Sequence, residues 1–247
     1  MEFKSNPDGG YSGSPAPVGP GRGVLPPMPE GARPEIDDAH RKRLLKFLLV
    51  KTAAVRSGVK PAELLRVRNC YATENEQGFR FCLYRRDIYF TLRLEYVELK
   101  VEEGSSLVLF YHPETLRRTL AEPSNRAWLI RQGYPKDGSM ADDLAELQRR
   151  AIGSGIPHEV GVFIGYPLKD VAGFMRHLPS TPVHNGLWRV YGDCIESIRR
   201  MRLYGQVERL AGEALERAED LNAFYSMAEE FSRTTQLKGV NQWTRYT

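Results

Sequence analysis

The sequence predicts an α+β protein: an antiparallel sheet of about four or five strands flanked by helices, with a C-terminal helix pair. Three observations predict it. Period-two apolar alternation is confined to the middle of the chain, helical spacing of apolar residues lies on both sides of it, and the strand-like runs are joined by short connections that favour antiparallel pairing. The length of 247 residues fits one large domain or two small ones. A core burying roughly three quarters of the unfolded surface follows, so size alone demands no disulfide or metal.

Residues 1–34 are rich in Gly, Pro and Ser and poor in branched apolar residues, which predicts a disordered tail. Asp37 and Asp38 then resemble N-cap residues of a helix carrying Leu44, Leu45, Leu48, Leu49 and Ala53, ended by Gly58. Pro61 suits the first turn of a short helix over 61–67. Alternation at Phe79, Phe81 and Leu83 predicts a first strand. A long second strand is expected over 89–101, where the apolar face slips from Phe90, Leu92, Leu94 and Tyr96 to Val97, Leu99 and Val101. That slip predicts a β-bulge near Tyr96. Gly104 and Ser105 supply a turn, and 107–111 reads as a third strand, giving a meander.

Helices are expected over 113–121, 125–132 and 140–152, separated by Pro123 and the turn at 133–139. The apolar run 160–164, short and β-branched, reads as a buried strand. A helix over 168–177 and a last strand over 187–191 follow. Two helices, 194–217 and 219–235, close the chain as the expected pair. The domain organisation expected is therefore a tail at 1–34, an α+β domain at 35–204 and a helical extension at 205–247.

Composition excludes several classes. Hydrophobic and charged fractions of 41% and 27% are ordinary for a globular chain. No apolar run approaches the roughly 20 residues of a membrane-spanning helix, and 44–50 is interrupted by Lys46. The start of the chain lacks the basic and apolar regions of a secretory signal, so the cytoplasm is the expected location. Cys70, Cys82 and Cys194 are odd in number and without CxxC spacing, which writes neither a disulfide framework nor a zinc site. The net charge of +4 is mild and the arginine pairs are spread along the chain. A specific nucleic-acid partner would need Arg80, Arg85, Arg86 and other arginines on one face.

Three segments stand out: Lys60-Pro61-Ala62-Glu63-Leu64, the run from Ile156-Pro157-His158-Glu159 to Ala172-Gly173-Phe174, and Trp188-Arg189-Val190-Tyr191-Gly192-Asp193. Together they resemble a bacterial family, domain of unknown function three-seven-nine-three, met in anaerobic, clostridial-type bacteria. The resemblance spans about 60–204 and implies a fold but no activity. The cysteine that the resemblance leads one to expect after Tyr204 is replaced by Gly205-Gln206, so thiol chemistry there does not carry over.

Candidate pocket residues are His158, Glu159, Tyr166, Asp170, Trp188, Tyr191 and Asp193. His158 beside Glu159 could order a proton-transfer group, but adjacent strand residues face opposite ways, and a capping histidine with a salt-bridged glutamate is the plainer reading. H-E-x-x-H is absent because Val162 stands at the second histidine position, so no metal site is expected. Gly165-Tyr166-Pro167 precedes a helix N-terminus, yet Pro167 removes a donor and Asp170 would repel an anion. Trp188 and Tyr191 could wall a pocket with Asp193 orienting a ligand; equally, Trp188 packs the core and Asp193 caps the next helix. No catalytic residue, cofactor or partner is assigned. Three functions remain open: a cytoplasmic binding or accessory protein without its own chemistry, an enzyme or small-ligand site around His158, Tyr166 and Trp188, and a nucleic-acid partner.

Overall fold

A computed structural model describes residues 38–68, 89, 91–102, 105–153, 155–175, 181–220 and 222–225. Its centre is a three-stranded antiparallel sheet, β1 (Ala62–Arg68), β2 (Glu95–Glu102) and β3 (Ser105–Tyr111), in the order β1-β3-β2. Every residue of β3 is buried, as a central strand covered on both faces requires. Alternation sorts the two faces. Leu107, Leu109 and Tyr111 enter one core with Ala62, Leu64, Val97 and Leu99. Val108 and Phe110 enter a second with Leu65, Val67, Leu94 and Tyr96.

The second face is covered by α1 (Asp38–Lys51), through Leu44, Leu48 and Leu49, and by Phe224 in a helical turn at 222–225. The expected single helix to Gly58 is broken at Thr52, whose N–H and hydroxyl both donate to the Leu48 carbonyl at 2.9 and 2.8 Å. Such back-bonding competes with helix continuation. A separate turn, α2 (Ala53–Arg56), follows and closes at Gly58, where φ is 71°.

The helix expected over 61–67 is instead β1, paired with β3 from Ala62↔Tyr111 to Arg68↔Ser105. Its apolar residues must face two cores at once, which a strand allows and a one-sided helix does not. β2 begins at Glu95, later than the expected strand, and residues 89 and 91 are helical. The bulge falls between Glu98 and Lys100 rather than near Tyr96. Gln148 donates to the Glu98 carbonyl there at 2.7 Å. The strand expected at 79–84 lies outside the described residues.

Four helices cover the first face: α3 (Pro113–Ala121), α4 (Pro123–Arg131), α5 (Met140–Gly153) and the short α6 (Val160–Phe163). His112 caps α3 through Nδ1, which accepts from the Thr115 N–H at 3.3 Å. Pro123, expected to separate helices, starts α4 behind the Glu122 cap. Ser139 and Asp142 bond each other's backbone N–H at the start of α5, a capping box. The run at 160–164 is the helical turn α6 and not a strand: buried on every side, it carries no period from which to tell the two.

α7 (Leu168–Met175) leads to a small ribbon, β4 (His184–Asn185) paired with β5 (Arg189–Val190), and then to α8 (Ile195–Arg217). A third core joins α2, the ribbon and α8 through Ala53, Ala54, Trp188, Val190, Met201, Tyr204 and Val207. The α+β class is as expected, but the strands divide into a sheet of three and a ribbon of two among the described residues. Of the second C-terminal helix expected over 219–235, the helical turn at 222–225 is described, and 226–235 lies outside the described residues.

Candidate functional site

The three segments singled out in the sequence meet where β1 begins, α6 gives way to α7, and the ribbon meets α8. Gly165 is the hinge of this junction. Its φ is 82°, and a Cβ there would stand 2.6 Å from Pro61 Cδ and 3.0 Å from Tyr204 Oη. Both the backbone angle and the contact therefore require glycine. The Gly165 carbonyl accepts from Arg200 Nη1 at 3.0 Å and Tyr204 Oη at 3.4 Å, tying α8 to the turn.

Asp170, in the first turn of α7, is the polar centre and is 2% exposed. Oδ1 accepts from Lys169 Nζ at 2.7 Å and the Tyr191 N–H at 2.9 Å. Oδ2 accepts from Trp188 Nε1 at 2.8 Å and Ser197 Oγ at 2.6 Å. Burial by itself would raise this carboxyl, but the hydrogen bonds from Lys169, Ser197, the Tyr191 N–H and Trp188 together hold it below the usual carboxylate range. Lys169 also donates to the Tyr191 carbonyl and Ser197 Oγ, each at 3.0 Å. A buried charge with two donors on each oxygen is a satisfied one.

Aromatic rings wall the centre. Tyr166 stacks on Trp188 at 4.2 Å and 22°, and Tyr204 lies 6.4 Å beyond. Lys60, itself buried, bonds Glu63 at 2.7 Å and sits 5.2 Å from the Tyr204 ring. Burial, reinforced by the Glu63 carboxylate, pushes the Tyr166 phenol up to about 12. Burial also lifts Tyr204 to about 12 against the opposing Arg200 charge.

Of the candidate pocket residues, the structure brings Tyr166, Asp170, Trp188 and the Tyr191 backbone together, while the Tyr191 ring packs on Gly173. His158 and Glu159 diverge from a turn, not a strand. His158 is exposed with its ring 4.9 Å from Phe174, edge to face. Glu159 is buried against Arg150 at 2.8 Å, in a network that also ties Arg150 to Glu146 and the Gln132 carbonyl. Asp193 is exposed, and its Oδ1 accepts from the Ile195 N–H at 3.1 Å at the start of α8. Lys169, Ser197, Arg200 and Tyr204 were not among the candidate site residues, since a lysine or a serine on a helix carries no local mark of a buried partner; Lys169 had only its place in the 156–174 segment. Lys60 and Glu63 lay within a quoted segment, which was their only signal.

The described surface also has a groove of about 440 Å3 between α1 and α8, lined by Lys46, Phe47, Val50, Lys51, Gly212, Leu215 and Glu216. Lys51 pairs with Glu208 across the two helices. Cys194 is a free thiol, while Cys70, Cys82, Arg80, Arg85 and Arg86 lie outside the described residues. Among the described residues, no three His, Cys, Asp or Glu side chains are grouped to hold a metal ion, and no helix is long and apolar enough to cross a membrane.

The profile of the family Protein of unknown function (DUF3793) matches residues 48–225. The chain belongs to this family. All three segments of the junction fall inside the DUF3793 match, as does the α8 wall of the groove. No curated protein and no solved structure matches the chain.

Proposed function

We propose that this protein is a cytoplasmic binding or accessory protein that holds a partner in the groove between α1 and α8 and performs no chemistry of its own. The groove carries the reading. Its lining is apolar at Phe47, Val50 and Leu215, and of its charged residues Lys51 pairs with Glu208 while Lys46 and Glu216 pair with neither, so they do not converge as reacting groups would have to. The junction supports the same reading from the other side, because a carboxylate with both oxygens doubly bonded has no lone pair left to take a proton from a substrate. As organisation, we propose a tail at 1–34, an α+β domain at 35–204 and a helical extension at 205–247.

A photoreactive phenylalanine analogue at position 47, with the same probe at exposed Val183 on the ribbon side as control, tests the reading in the full chain in cells. A specific protein adduct from 47 and none from 183 is expected. Absence of any protein adduct from 47 sinks it. A second reading, a small-ligand site around His158, Tyr166 and Trp188, draws on the Tyr166–Trp188 stack beside the Lys60–Glu63 pair. Native mass spectrometry of protein from its own host, beside a His158→Ala, Trp188→Ala double variant, decides it: a bound species lost in the variant would favour the pocket.

A further inference from the structure

We infer that the groove between α1 and α8 is the interface of a twofold homodimer, its occupant being the same face of a second copy. The inference rests on the groove being a docking site, as proposed above, and names its partner. Four features of the face make it complementary to itself. Phe47 lines the α1 side of the groove and is 38% exposed. Across the groove, a Cβ on Gly212 would meet nothing within 4 Å, so the α8 wall leaves open space that a ring can enter. A part-exposed ring and an open space are thus carried on the two sides of one groove.

The charges sort the same way. Lys51 and Glu208 are already paired to each other. That leaves Lys46 on the α1 rim and Glu216 on the α8 rim, one of each sign, and neither has an ionic partner among the described residues. A foreign surface of one sign would satisfy one of them and oppose the other. A second copy related by a twofold axis sets Lys46 of each chain against Glu216 of its partner, so both pairs form together, and each Phe47 faces the partner's Gly212. Isologous contacts require this self-complementarity.

Sedimentation of the full chain over a concentration series, at low and at high salt, tests the inference. The wild type is expected to dimerise, more weakly at high salt. Lys46→Glu and Glu216→Lys singly are expected to weaken association about tenfold or more, as like charges then face each other, and the double reversal to restore it. Gly212→Leu fills the hole and is expected to abolish dimerisation, while circular dichroism confirms that each variant is folded. A wild type that stays monomeric at every concentration overturns the inference, and so do single reversals without effect or a double reversal without rescue. The crosslink at position 47 separates the two readings. An adduct to a different protein leaves the docking site standing and removes the homodimer, an adduct to residues 226–247 of the same chain removes both, and no protein adduct removes both as well.

Discussion

The junction around Asp170 and the groove between α1 and α8 are both lined by charged, aromatic and glycine residues, yet they differ in what those residues lack. At the junction every charge has an answer: Asp170 takes four donors, Lys60 has Glu63, and Arg200 and Tyr204 share the Gly165 carbonyl. At the groove, Lys46 and Glu216 stand without ionic partners among the described residues, and Phe47 is 38% exposed. A satisfied polar network fixes one arrangement of three distant segments, whereas an unsatisfied rim is free to bind. The chemistry-rich region is thereby the scaffold, and the plainer one is the candidate for function.

The comparison breaks most directly at Asp170. Asp170→Ala strands a partly buried ammonium, an indole N–H and a hydroxyl, and is expected to cost roughly 3–5 kcal/mol of folding stability, measured by urea unfolding. A loss below about 1 kcal/mol would mean that the network is not what holds the junction. The two glycines give a sharper contrast. Gly165→Ala is expected to destabilise by roughly 2–4 kcal/mol, from the positive φ and the clash with Pro61. Gly212→Ala, mid-helix and with open space before it, is expected to stabilise by about 0.5–1 kcal/mol. Equal signs for the two would erase the distinction between the regions.

Smaller effects refine it. Trp188→Phe keeps most of the stack on Tyr166 and removes one of four donors to Asp170, for an expected loss of about 1–2 kcal/mol. The pH dependence carries a definite sign. Because the folded Asp170 carboxyl lies below its unfolded value, its contribution is present above the unfolded pKa and is lost as pH falls through the folded one. The stability gap between wild type and Asp170→Asn is therefore expected to close on acidification from neutral pH, and a constant gap would place the effect in packing. Phe47→Ala, which removes a ring that is 38% exposed, is expected to cost about 1 kcal/mol in urea unfolding, well below Asp170→Ala.

Local chemistry made much of the helical layer legible in advance. Pro113 and Met140 mark the first residues of α3 and α5 as expected, and α8 starts at Ile195, one residue after the expected Cys194, because capping and proline geometry are settled within a few residues of chain. The α+β class and the presence of a bulge in the second strand were equally readable, since hydrophobic period is a property of the sequence itself. Tertiary structure decided the rest. Residues 62–68 hold leucines that suit a helix, and only pairing with β3 between two cores makes them a strand. Val160–Phe163 is apolar throughout, so its burial on all sides left no period from which to read its form. The quoted segments were visible as words, but that Lys169, Trp188, the Tyr191 N–H and Ser197 all converge on one carboxylate was not. Hydrogen-bond partners distant in sequence exist only once the chain has closed, and the free energy of burying Asp170 is defined only by the donors that the closed chain supplies.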